Sequence, residues 1–243
     1  MTNKWLKVAL MAAAIATGTS IKIDAETVLY VPQDDRPVSL QYTVDTAREA
    51  GMTILTPPQN LISGKNYQGQ ADQIMAWVEQ NAGRADVMVL STDTLIYGGL
   101  VDSRKHNIPL STLESRLKRI ESLKARNKKV RIYGFGTVMR SPRASGGGTE
   151  PAYYAEYGPT IFQIAALQDK LDSGSLTQEE TQKLMSLQAS VPVEYLQDWF
   201  DRRQKNMKIN KELIDETRSG VFDYFALGHD DTSQLSQSAL EGR

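Results

Sequence analysis

The chain contains no cysteine. That excludes disulfides, a thiol nucleophile, thiolate metal sites and a lipid-modified N-terminal cysteine. Histidine is almost missing as well. His106 and His229 are the only two, too few for a multi-histidine zinc site. Net charge is close to zero, with 28 Lys and Arg against 29 Asp and Glu, so there is no electrostatic footprint for nucleic acid. There is no Gly-x-Ser-x-Gly elbow to indicate a Ser/His/Asp hydrolase. The glycine run Ser145-Gly146-Gly147-Gly148 lacks the Lys-Ser/Thr ending of a phosphate loop. It reads as a linker or as a loop over a site.

Long apolar runs are missing too. The longest, Val8 to Ala16, is too short for a permanent membrane span. Lys4 and Lys7 precede it, and Ile23-Asp24-Ala25 follows. A basic start, a short apolar centre and a small residue before the cut form the layout of a secretory signal. The expectation is a signal peptide over 1–25 and an exported chain, periplasmic or extracellular. After cleavage it would not be an integral membrane protein. The 40% hydrophobic content is enough for a real core, and without disulfides that core must supply the stability.

What is present is an alternation of short apolar runs with amphipathic stretches. Thr27–Val31, Met52–Leu55, Asp86–Leu90, Val130–Phe135 and Val221–Leu227 read as strands, several of them without polar alternation. Between them, Leu40–Ala50, Gln70–Gln80 and Ser111–Arg126 read as helices, the last with Ser111 and Glu114 spaced as a capping box. Its face with Arg116, Lys118, Arg119, Lys124 and Arg126 reads as a solvated surface. Ser91–Gly99 reads as a long loop. Ala152–Leu171 reads as a helix broken at Gly158-Pro159, Thr177–Gln188 as a helix capped by Thr177 with Glu180, and Val193–Arg218 as a long helix. The pattern predicts an α/β fold: a mostly parallel sheet with helices on both faces, Rossmann-like or a partial barrel. A helical insertion over 151–219 separates the fourth and fifth strands. Only residues 232–243 follow the last acidic motif, with no strong helix among them. A parallel sheet needs cover, so the domain over 26–243 is expected to be incomplete.

Three acidic motifs follow strands: Gln33-Asp34-Asp35-Arg36-Pro37, Ser91-Thr92-Asp93 and Gly228-His229-Asp230-Asp231. In α/β folds ligands bind at the carboxyl ends of strands. Adjacent carboxylates facing one pocket cannot both ionise cheaply, which makes a proton donor beside a charged partner. Asp34, Asp35, Asp230 and Asp231 are therefore the candidate catalytic residues. Asp93, Arg36, Arg104, Arg140 and Tyr97 are the candidate substrate-binding residues, with arginine suited to clamping a carboxylate or a sugar hydroxyl. A structural reading stands beside this one. Asp after a strand often caps a helix or pairs with arginine, as Asp35 could with Arg36 or Asp102 with Arg104. Tyr153, Tyr154, Tyr157, Trp199 and Phe200 suit a core, or stacking on sugar rings. No cofactor is implied, although the same acids would suit a divalent cation. The expected partner is a small molecule or glycan.

Four stretches occur in order: Val31–Pro37, Asp93–Arg104 (Asp-Thr-Leu-Ile-Tyr-Gly-Gly-Leu-Val-Asp-Ser-Arg), Tyr153–Gly158 and Leu227–Asp231. Together they resemble the bacterial domain-of-unknown-function family four-one-two-seven over essentially all of 26–243. The resemblance implies a longer protein whose second half also contributes acidic residues. It also implies Gln in many relatives where this chain has His229. A looser analogy is to glycosidases in which one Asp of an adjacent pair orients the substrate's acetamido group and the other acts as acid/base. The resulting expectation is a carbohydrate-active protein that hydrolyses glycosidic bonds. The alternatives are a glycan- or cation-binding module and a truncated remnant.

Overall fold

The computed structural model describes residues 25–144, 147–230 and 233–243. Residues 1–24, all but the last residue of the expected signal peptide (1–25), lie outside the described residues, as do Ser145-Gly146 and Asp231-Thr232, and with them the expectations placed there. Five strands form the sheet: β1 (Thr27–Val31), β2 (Thr53–Leu55), β3 (Val87–Ser91), β4 (Arg131–Val138) and β5 (Tyr224–His229). Every neighbouring pair is parallel, in the order β2-β1-β3-β4-β5. Among the described residues the sheet is open, with β2 and β5 at its edges, and its order is that of a doubly wound sheet rather than the sequential order of a partial barrel.

The helices are α1 (Gln41–Glu49), α2 (Ala71–Asn81), α3 (Thr92–Tyr97), α4 (Leu100–Lys105), α5 (Leu110–Arg126), α6 (Tyr154–Asp172), α7 (Gln178–Ser190), α8 (Val193–Arg218) and α9 (Gln237–Glu241). Side chains alternate across a strand, and the core face of the sheet carries Leu29, Val31, Met88, Leu90 and Ile132. Ile74, Met75 and Val78 of α2 pack into the same cluster, as do Leu113, Leu117, Ile120 and Leu123 of α5 and Ile209 and Leu213 of α8. The basic face of α5 is partly spent on its neighbour: Arg116 pairs with Asp72 and Arg119 with Glu79, both on α2.

The second face departs from the expectation of full cover. Among the described residues α1 packs there, leaving an apolar groove of about 300 Å³ lined by Val28, Tyr30, Val44, Ile54, Val89 and Tyr133. Glu26 and Arg131 at this groove pair with one another. The edge residue Tyr224 stays 62% exposed.

The insertion builds a second core from Tyr154, Ile161, Ile164, Leu184, Val191 and Trp199, with Met139 from the end of β4 region. Four local expectations change. Ser91–Gly99 is not a loop: α3 starts directly after β3 and α4 follows Gly98-Gly99. The Ser111 capping box does not form, because α5 begins at Leu110 after Pro109 and places Ser111 inside its first turn. Helix α6 runs through Pro159 without a break. It tolerates the proline near its start, where Gly158 packs so closely on Tyr154 that a Cβ would lie 2.4 Å from the ring. Finally, β5 starts three residues later than expected, and Phe222 before it is buried in the main core. The Thr177–Glu180 capping box on α7 forms in full.

Candidate functional site

The strand order reverses direction at β1 and β3. The chain leaves β1 toward β2 on one side and leaves β3 toward β4 on the other. The crevice between their carboxyl ends is where such sheets bind ligands. Here it opens into a cavity of about 410 Å³. Its lining includes Gln33, Asp34 and Arg36 after β1, Lys65 from the connection after β2, and Arg104 of α4. Thr137, Arg140 and Thr149 come from β4 and the segment after it, and His229 and Asp230 from β5 and its end.

Close backbone packing assembles this crevice. Ser91 caps α3 by accepting from the Thr94 amide, and the Thr94 hydroxyl donates to the Pro32 carbonyl at 2.7 Å. That bond holds the loop after β1 against α3. Gly136 on β4 lets the start of α3 approach, since a Cβ there would sit 2.3 Å from Thr92 Oγ1. Asp102, read as a surface partner of Arg104, is instead buried. It accepts from the Gly69 amide at 3.0 Å and so anchors the loop that carries Lys65. Burial raises its pKa.

The two carboxylates after β1 part company. Asp34 lines the cavity and is held by Arg36, whose Nε donates to its Oδ2 at 2.7 Å. Asp35 turns to the Tyr67 hydroxyl, which donates to it. They do not form a proton-sharing pair in one pocket, because each has its own partner.

Asp93 is buried behind the cavity. Its Oδ2 accepts from Gln33 Nε2 and Thr137 Oγ1, each at 2.9 Å. Burial pushes its pKa up to about 6, against the pull of those hydrogen bonds and of Arg104. Tyr97 is buried too. Its ring stacks on His106 at 4.9 Å, and its hydroxyl is not among the cavity's lining groups. His106 sits between Asn206 Oδ1, at 2.8 Å from Nε2, and the Ile108 amide, which donates to Nδ1 at 3.2 Å. That pairing fixes a neutral ring with the proton on Nε2, and burial lowers its pKa to about 4.

The arginines converge. Arg104, with its side chain only 5% exposed, contacts Asp230 and lies 3.7 Å from Glu150 Oε1. Burial lowers its pKa, and Asp230 and Glu150 oppose that shift. Arg140 donates through Nε to Glu150 at 2.6 Å and through a terminal nitrogen to Thr149 Oγ1 at 2.7 Å. Glu150 therefore sits between two guanidiniums. The sequence carried little signal for Glu150 or Thr137, because a lone Glu after a glycine-rich stretch and a neutral polar residue at a strand end are common surface composition; Gln33 stood within the first acidic motif without being singled out as a site residue. Of the aromatics expected in the core or on a sugar, Tyr154 and Trp199 are buried and pack on one another, while Tyr153, Tyr157 and Phe200 are half-buried against the same core, Tyr153 stacking on Tyr195.

The cavity thus gathers Asp34, Arg36, Arg104, Arg140 and Asp230 of the expected residues. It does not gather Asp35, Asp93 or Tyr97, and Asp231 lies outside the described residues. Among the described residues, no group of three or more His, Asp or Glu could hold a metal ion. No helix among them is long and apolar enough to cross a membrane. A family model described as "Protein of unknown function (DUF4127)" matches residues 28–243. No curated protein and no solved structure matches the chain.

Proposed function

The chain belongs to the DUF4127 family, and from that premise we propose that it is an exported, carbohydrate-active protein that hydrolyses a glycosidic bond in the cavity at the strand ends. One observation carries the reading. Carboxylates, guanidiniums and neutral polar groups from the ends of β1, β4 and β5 and from α4 line a single cavity of about 410 Å³. Sugars present many hydroxyls that both donate and accept, and a wall of mixed donors and acceptors suits them. Export rests on the N-terminal sequence layout.

In this reading Asp230 and Asp231 are the acid/base pair. Arg104 fixes one oxygen of Asp230 and thereby orients the other toward substrate. Arg36 does the same for Asp34. Asp231 supplies the second carboxyl, in the manner of glycosidases that divide orientation and proton transfer between adjacent acids. The test is hydrolysis of N-acetylglucosamine oligomers by the Asp230→Asn and Asp231→Asn variants. Loss in both, in variants that still melt cooperatively, is the expected result. Full activity in both would remove the pair from the mechanism.

A second reading is a glycan-binding module without turnover. It is favoured by the arginine partners of Asp34 and Asp230, which are the ordinary partners of structural acids. Calorimetric binding of the same oligomers with no product after prolonged incubation would select it.

A further inference from the structure

We propose that Asp93 is the positioning residue of this cavity, and that Gln33 and Thr137 are the groups it turns toward a ligand. The inference builds on reading the cavity as a carbohydrate site and identifies which atoms would meet the sugar. Asp93 is 2% exposed and does not line the cavity, whereas both of its donors do. An ionised carboxylate can only accept. Gln33 must therefore turn its amide nitrogen inward to Asp93, which leaves its carbonyl Oε1 available to a ligand. Thr137 commits its hydroxyl proton to Asp93 and keeps its lone pairs. Two acceptors are set in this way, while Arg36, Arg104 and Arg140 supply donors to the same cavity. The matching ligand donates hydrogen bonds to Gln33 and Thr137 and accepts them from the arginines. Vicinal sugar hydroxyls or an acetamido group can do both.

A proton on Oδ2, the oxygen to which both side chains donate, would reverse this polarity, because a hydroxyl there donates and one of the two partners must then turn over. The groups facing Asp93 are Gln33 from the loop after β1, Thr137 of β4, Tyr97 of its own helix and Arg104 of α4. Tyr97 is held neutral by burial. Arg104 favours the ionised acid, and burial opposes it strongly enough to bring the titration to about pH 6.

The experiment is a nitrogen-15 NMR titration of the Gln33 side-chain amide, assigned by its loss in Gln33→Leu. The expected result is a shift with a midpoint near pH 6 in the wild-type chain and no such titration in Asp93→Asn. A silent Gln33 amide across that range, in a protein that stays folded, overturns the proposal. A second arm measures calorimetric binding of an N-acetylglucosamine tetramer on either side of the midpoint. Affinity is expected to differ by about tenfold, the scale of one mismatched hydrogen bond, and the difference is expected to vanish in Asp93→Asn. A titrating Gln33 with no sugar bound at any pH would overturn the carbohydrate reading and leave the positioning role standing. Binding that is equal at both pH values with a silent Gln33 would overturn the positioning role alone.

Discussion

Two buried titratable residues near the site act on stability in opposite directions. Between about pH 4 and 6 the folded state holds a proton on Asp93 that the unfolded state has released, because burial raises its pKa from 3.8 to about 6. Stability from this residue therefore falls as pH rises through that window. His106 does the reverse. Its pKa drops from 6.5 to about 4, so the unfolded state binds the extra proton and stability rises with pH over nearly the same range. Replacing Asp93 by Asn keeps an acceptor for Gln33 and Thr137 and removes the ionisation. The variant is expected to gain on the wild type as pH rises from 4 to 7, by about 3 kcal/mol at most. Chemical denaturation at several pH values measures the difference, and a gap that does not change with pH would refute it. Gly136 is a second residue under tight constraint. The Gly136→Ala change drives a methyl group into Thr92 Oγ1 and is expected to cost about 1–3 kcal/mol. Because Thr92 also donates to the Phe135 carbonyl at 3.1 Å, combining Gly136→Ala with Thr92→Ala should cost less than the two single changes added together. Simple additivity in urea melts would place the strain elsewhere.

At the scale of elements, the short helix α9 is tied to α8 by one buried ion pair. Arg203 of α8 is buried and donates to Glu241 of α9 at 2.7 and 2.6 Å, and also to the Arg140 and Met139 carbonyls. Glu241→Gln leaves a buried guanidinium without its counter-charge and is expected to cost about 3 kcal/mol. The exposed pair Arg218–Asp215 serves as the control, with Asp215→Asn expected to change stability by less than about 0.5 kcal/mol. Equal losses from the two, read by thermal melts, would contradict the burial argument. The Arg203–Glu241 pair also marks where sequence reading stops. The strands β1 and β3 and the helices α2 and α8 were legible because their apolar residues either run continuously or recur with the helical period. Helix α3 was not. All six of its residues are buried, so it has no polar face to set a period, and its Thr and Asp side chains are satisfied internally. Strand-end acids were legible as candidate site residues because position alone places them there. Their partners were not: Arg104 meets Asp230 across 126 residues of chain, and nothing local to either residue encodes that contact.

On the scale of the whole molecule, the chain holds two cores of unequal depth. The sheet core draws its buried side chains from three strands, β1, β3 and β4, and from three long helices. The insertion core rests chiefly on α6 and α8 and takes from α7 only Leu184 as a fully buried side chain. Segments with few buried apolar contacts open at lower free energy than the global transition. Amide protection should therefore be graded rather than uniform. Helix α7 is expected to exchange first among the long helices, α6 and the first half of α8 next, and β1, β3 and β4 last, together with α5. The opening of α7 leaves the cavity untouched, because none of its lining residues lies in that helix. A glycan oligomer bound in the cavity should thus slow exchange at the ends of β1, β4 and β5 and in α4 while leaving α7 unchanged. Hydrogen exchange with mass spectrometry, with and without the N-acetylglucosamine tetramer, reads both effects at once. Protection of α7 equal to that of β3 would mean that the insertion and the sheet unfold as one unit. Ligand protection confined to the insertion would move the binding site away from the strand ends.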